Sequence, residues 1–207
     1  MAVYTVAGGT DDCYRRLTNS IWSLTSEYMA AGYNGATNKQ WGSGMRFTGI
    51  AIPNGATILS AFLTLRANAS NGSVVARSRI SAEQVDDAPT FADDSGAFDT
   101  RWANRGAQVD WDMEAFVDGE DYDSVDFKAV IQAIVDRVGW ATGQDIVIFW
   151  EDFEDRSTPG AGCIRMGKTF EHGDAAPAKL TVTYTEPGGL ENKSASMGAK
   201  MMSRGLI

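Results

Sequence analysis

The stretch "MRFTGIAIPNGATILSAFLTLRA", residues 45–67, constrains the fold most. Met45, Phe47 and Gly49 share one face; Arg46, Thr48 and Ile50 share the other. The second run repeats the pattern, with Ala61, Leu63, Leu65 and Ala67 against Phe62, Thr64 and Arg66. A period of two marks half-buried strands. Pro53 removes a ladder donor and Gly55 permits positive φ, so the first strand stops there. A tight Asn-Gly hairpin reverses within two residues. Here strand-like residues resume only about four positions past Gly55. The spacing therefore predicts an arch that carries the chain from one sheet to a second sheet packed on it.

The rest of the chain fits a mainly β body. "VYTV" at 3–6, "SVVARSRISAEQV" with Arg77 and Arg79 on its polar side, "CIRMGKTF" and "AKLTVTYT" all read as strands. Leu180, Val182 and Tyr184 are expected to face inward. "QDIVIFW" is almost continuously apolar, as a strand buried on both faces is. "SIWSLTSEYMAAGYN" reads as strand and loop. Residues 86–122 show little periodicity and read as one long decorated loop. Its aromatics Phe91, Phe98, Trp102, Trp111 and Phe116 argue that it packs onto the body.

One helix stands out in "DSVDFKAVIQAIVDRVGW". Phe127, Val130, Ile131, Ile134, Val135 and Val138 form a single apolar stripe. Asp123 or Ser124 is expected to cap its start and Gly139 to stop it. The helix is expected to close one end of a sandwich.

At 207 residues the chain is long enough to bury about 70% of its extended surface without staples. Its net charge is −9, and fourteen carboxylates between Glu83 and Asp126 face only Arg101 and Arg105. Such a surface repels phosphate backbones, which argues against nucleic acid as a partner. No run reaches the roughly 18 apolar residues of a membrane span, so no membrane partner is expected. "MAVYTVAGG" has neither a basic nor an apolar leader region, so synthesis in a cytoplasm is expected. Cys13 and Cys163 read as two buried thiols, with pairing left open. The lone His172 sits in a turn and does not make a zinc site.

No catalytic constellation emerges. Glu151, Asp152, Glu154 and Asp155 look like a solvated loop partnered by Arg156. "WGSGM" lacks the G-x-S-x-G spacing of a nucleophile elbow, and neither a P-loop nor a dinucleotide fingerprint occurs. No cofactor is expected. "DGEDYDSVD" offers Asp118, Glu120, Asp121, Asp123 and Asp126 for a loop calcium, without the order of an EF-hand and without singling out ligands. Tyr33 and Trp41 are candidate platforms for a pyranose ring, against the plainer reading that they pack on loops or at subunit contacts.

The texture changes after Glu186. Residues 187–207 open with Pro-Gly-Gly and carry Glu191 against Lys193, Lys200 and Arg204. Met197, Met201, Met202, Leu206 and Ile207 give this segment apolar anchors. A solvated tail competes with an assembly arm that docks on another subunit; the anchors favour the arm. The domain division is then 1–186 for the body and 187–207 for the arm.

Three segments carry a resemblance: "MRFTGIAIPNGATILSAFLTLRA", "VIQAIVDRVGWATGQDIVIFWEDFEDRS" and "PAKLTVTY". Over roughly residues 40–186 the chain resembles DNRLRE-type domains, jelly-roll β-sandwich modules similar to carbohydrate-binding modules. Where related modules read more like Ser-Arg-Glu, this chain has "EDRS". The resemblance implies a jelly-roll β-sandwich. It also implies a setting, since such segments recur in structural proteins of tailed-phage particles. The expected function is a virion structural protein: a capsid decoration, minor capsid or tail component that forms homo-oligomers and docks on other virion proteins. A carbohydrate-binding module is the alternative, with glycan as partner.

Overall fold

β5 (Asn38–Phe47) and β10 (Ile146–Glu151) pair antiparallel at the centre of the larger of two sheets. All six residues of β10 are buried, as its continuous apolar run predicts. The computed structural model describes residues 1–17, 20–35, 38–72, 74–158, 162–174 and 176–188. The anchors Met197, Met201, Met202, Leu206 and Ile207 lie outside the described residues.

The protein is mainly β, and its named strands all pair antiparallel. The smaller sheet runs β1 (Ala2–Thr5), β12 (Lys179–Thr185), β6 (Thr57–Arg66), β9 (Asp121–Asp123). The larger runs β11 (Cys163–Lys168), β4 (Tyr28–Asn34), β5, β10, β7 (Ala76–Glu83), β8 (Arg105–Met113). β2 (Asp12–Arg16) adds to β5 and carries β3 (Ile21–Ser23).

The arch crosses as its spacing predicts: β5 lies in the larger sheet and β6 in the smaller. Ile50 and Ile52 are fully buried within it. The side-chain amide of Asn54 donates to the carbonyls of Val135 and Arg137, which anchors the arch to a helix end. One core joins both sheets, with Leu63, Leu65 and Val182 of the smaller meeting Met45, Phe47, Ile80 and Ile148 of the larger.

β4 pairs with β5 only from Gly32 onward, and the residues before Gly32, whose φ is 115°, stand away from β5. The Ser43 hydroxyl then takes over the lost ladder bonds, accepting from the Ala30 N–H and donating to the Ala30 carbonyl. Freed from β5, the β4–β11 pair reaches β6, where Gly167 bridges to Ala67. Arg165, fully buried on β11, fastens this corner. Its guanidinium donates to the carbonyls of Glu114, Gly162, Ile164, Val74 and Met113.

The expected helix is α2 (Lys128–Val135), shorter than its sequence stripe. Asp123 belongs to β9, and the Ser124 hydroxyl accepts from the Leu63 N–H, so neither caps the helix. Pairing of β9 with β6 holds these residues extended up to Ser124. Asp126 instead accepts from the Lys128 and Ala61 amides. Val130, Ile131, Ile134 and Val135 are buried as expected, but Val138 is wholly exposed, because the helix ends at Val135 and Asn54 takes the last carbonyls. Among the described residues no helix is long and apolar enough to cross a membrane.

Residues 86–122 are not one loop. They hold α1 (Ser95–Ala103), β8 and β9. β8 escaped sequence reading because its outer residues are acidic. In register, Asp112 faces Arg77 and Asp110 faces Arg79, so the carboxylates are cross-strand partners of the arginines. α1 begins at Asp94, whose carboxylate accepts the Gly96 amide.

α1 and the chain leading to it form a third layer on the outer face of the larger sheet. Phe91 and Phe98 pack there with Cys13, Val147, Phe149 and Phe153. Glycines in the "GSG" run admit these rings. A Cβ on Gly44 would lie 2.5 Å from Cζ of Phe91 and 3.1 Å from Cε2 of Phe98. Gly44→Ala should therefore destabilise the protein by about 1–3 kcal/mol through overpacking, a loss of roughly 2–4 °C per kcal/mol in melting temperature at this size. Gly173→Ala, with nothing within 4 Å of a new Cβ, should melt like the parent. Equal melting of the two variants would refute the close approach of the aromatic layer.

Candidate functional site

The third layer leaves one edge open. Trp22, on the short strand β3, packs against Phe98 with ring centroids 5.2 Å apart and against Phe91 at 6.3 Å. Its indole N–H donates to Oδ1 of Asp93 at 3.1 Å. The ring is thus held by packing on one side and by a carboxylate at its polar edge. Beside it lies an open cleft of about 430 Å³. Trp22 and Leu24 supply its apolar wall, Thr10, Ser23 and Thr25 its hydroxyl-bearing side chains, and Asp93 and Glu171 its charge. Among the described residues none of those lining it is basic.

Behind Glu171 stands Asp12, fully buried on β2. Oδ2 of Asp12 accepts from the Phe170 N–H at 2.8 Å. Oδ1 of Asp12 and Oε2 of Glu171 are buried without a donor among the described residues. Burial pushes the Asp12 carboxyl far above its usual range; the Phe170 N–H opposes this, and the neighbouring Glu171 carboxylate adds to the rise. Gly9 permits the arrangement, because a Cβ there would collide with the Glu171 carboxylate.

No family model and no curated protein matches the sequence.

Tyr33 and Trp41, the candidate platforms, are buried in this structure. Each is only 5% exposed. Trp41 packs with Ala30 and Ile164 beneath the rings of Tyr14 and Tyr28, at centroid distances of 5.3 and 6.4 Å. Trp41 is the β5 residue paired with Gly32, where β4 and β5 part. The half-exposed aromatics there are Tyr14 and Tyr28, stacked at 5.4 Å. Neither they nor Trp22 carried a distinctive sequence signal, since each sits in a short strand among mixed neighbours.

The acidic loop after β10 also differs from expectation. Glu151 and Asp152 are each 1% exposed, not solvated. The Asp152 carboxylate accepts the amides of Arg156 and Ser157, and the Ser157 hydroxyl accepts from the Arg77 N–H and donates to its carbonyl. The "EDRS" segment is thus a clamp on β7. Arg156 pairs with Asp110 and Asp112, while Glu154 pairs with Arg79 and Arg105. Among the described residues no cluster of three or more His, Cys, Asp or Glu side chains has the arrangement of a metal site. In the 118–126 stretch, Asp121 pairs with Arg66 and Asp123 accepts from the Thr64 hydroxyl. Cys13 and Cys163 are both buried and free. His172 lies in a turn and pairs with Asp174.

Burial raises Glu151 from 4.5 to about 7, against the opposing Phe153 N–H. Between these values the folded state holds a proton that the unfolded chain releases. Stability from this group is therefore full below about 4.5 and is lost as pH rises through about 7. Asp12 and Asp152, also raised by burial, act in the same sense. Asp110 and Asp174 are lowered and act only at more acid pH. The melting midpoint should be several degrees higher at pH 5 than at pH 8. Glu151→Gln, which imitates the protonated form and keeps an acceptor for Phe153, should narrow that difference. An undiminished difference in the variant would remove Glu151 as its source.

Proposed function

We propose that this chain is a virion structural protein: a capsid decoration, minor capsid or tail protein of a tailed phage, built on a jelly-roll β-sandwich and assembled as a homo-oligomer. The resemblance of residues 40–186 to DNRLRE-type modules supplies the setting. The observation that carries the reading is the outer face of the smaller sheet. While α1 and its flanking chain cover part of the larger sheet's outer face, this one stays open among the described residues, with Val3 and Leu59 about half exposed. Register lines up its residues in rows across the strands: Val3, Thr181, Phe62, then Thr5, Lys179, Thr64, Asp123. Rows of threonine interspersed with apolar side chains suit packing between protomers more than solvent alone.

The chain passes from β12, inside this sheet, directly into the segment carrying Met197, Met201, Met202, Leu206 and Ile207. An arm of net positive charge on an acidic body links neighbours through effective concentration, so many weak contacts add. Removing residues 189–207 should leave the body folded, with an unchanged circular dichroism melt. It should lower the oligomer mass in light scattering and abolish attachment to particles. A truncated protein of unchanged mass and attachment would sink the arm's role.

A second reading, a carbohydrate-binding module, is favoured by the Trp22 cleft, where an aromatic face meets hydroxyls and carboxylates. On a glycan array, Trp22→Phe should weaken binding while Trp41→Phe should not. The reverse order would return the site to Trp41.

A further inference from the structure

The cleft beside Trp22 has an unbalanced charge. Asp93 and Glu171 line it, and neither has a cationic partner among the described residues. The bases on surrounding elements are engaged elsewhere, with Arg16 of β2 lying over the Trp41 ring at 5.3 Å rather than in an ion pair. Arg15 holds Asp99, Arg46 holds Asp11 and Asp145, Arg101 holds Glu83, and Lys168 and His172 hold Asp174. The fully buried Asp12 stands against Glu171 with Oδ1 lacking a donor, and Oε2 of Glu171 lacks one too. A buried carboxyl facing a second carboxylate is costly when both are charged, and is relieved by a proton held between the two or by a cation.

The cation is not a bare metal ion in this geometry. Among the described residues no cluster offers three or more acidic, His or Cys ligands. Trp22 and Leu24 instead give the cleft an apolar wall, and an indole face attracts organic cations through its quadrupole. The volume of about 430 Å³ accommodates a molecule larger than an ion.

We infer that the Trp22 cleft binds a small organic ammonium group, seated between the indole and the carboxylates of Asp93 and Glu171. Thr10 and Ser23 stand ready to bond hydroxyls on the ligand's body. The ammonium arrives on an amino sugar, on a choline-like molecule or on a lysine side chain; the recognising chemistry is shared. The inference does not rest on the assembly reading. It sharpens the glycan reading without depending on it.

The test uses the full chain and three cationic probes: glucosamine, choline and Nα-acetyl-lysine amide. Glucose and N-acetylglucosamine are neutral controls. Binding is read by calorimetry and by Trp fluorescence. At least one cationic probe should bind about tenfold or more tightly than the neutral sugars. Asp93→Asn should weaken it by a similar factor. Asp93 is exposed, and Asn keeps an acceptor for the Trp22 indole, so this variant should melt like the parent. Gly9→Ala, which displaces the Glu171 carboxylate, gives a second route to the same loss. Glucosamine binding alone places the amine on a sugar. Choline or lysine binding with silent glucosamine keeps the site and removes the sugar. Equal binding of neutral and cationic probes, or binding by none, overturns the inference.

Discussion

The fold depends on burying β5 and β10 on both faces at once. Their inner face meets the smaller sheet through Met45, Phe47, Ile146 and Ile148, and their outer face meets the aromatic layer through Val147, Phe149 and the two glycines. A strand pair buried on both sides needs cover from two directions, and each cover fixes something else. The smaller sheet fixes the arch, because the chain must leave β5 and arrive at β6 on the far side of the core. The aromatic layer fixes Trp22, whose ring rests on Phe98 and Phe91. Without close approach at Gly42 and Gly44, that layer would stand off the sheet and the cleft at its edge would lose its wall.

Much of this was legible in the sequence where alternation was clean. Residues 45–67 specified two strands and a crossing between sheets, and "QDIVIFW" specified a strand buried on both faces. What stayed hidden had a physical reason each time. β8 carries acids on its exposed side, which reads as a loop until Arg77 and Arg79 are seen opposite Asp112 and Asp110. α1 has hardly any apolar stripe, since Phe98 is its only fully buried side chain. Trp41 lies in an otherwise polar and glycine-rich stretch, which suggests exposure. It is buried where β4 parts from β5, a tertiary event with no local signature. The cleft is less legible still: residues from 9–10, 22–25, 93 and 171 meet there only because β2, β3 and the aromatic layer share one edge.

Charge allocation links the rigid body to its open surfaces. The chain carries 27 acids against 18 Lys and Arg, so bases are the scarcer partner. Along β7 and β8 the arginines are spent on a lattice: Arg77, Arg79, Arg105 and Arg156 hold Asp110, Asp112 and Glu154. Exposed pairs of this kind contribute about 0–1 kcal/mol each, so their value lies in fixing register rather than in stability. Among the described residues, that lattice and the pairs around β2 and β5 leave Asp93, Glu171 and Asp12 without a counter-cation. Asp12 answers by holding its proton, which burial favours. Asp93 and Glu171 lie at the edge of solvent and line the cleft. The unpaired charge sits beside an indole and a cleft, so the cheapest neutralisation available to this surface is a cation with an apolar or hydroxylated body brought from outside.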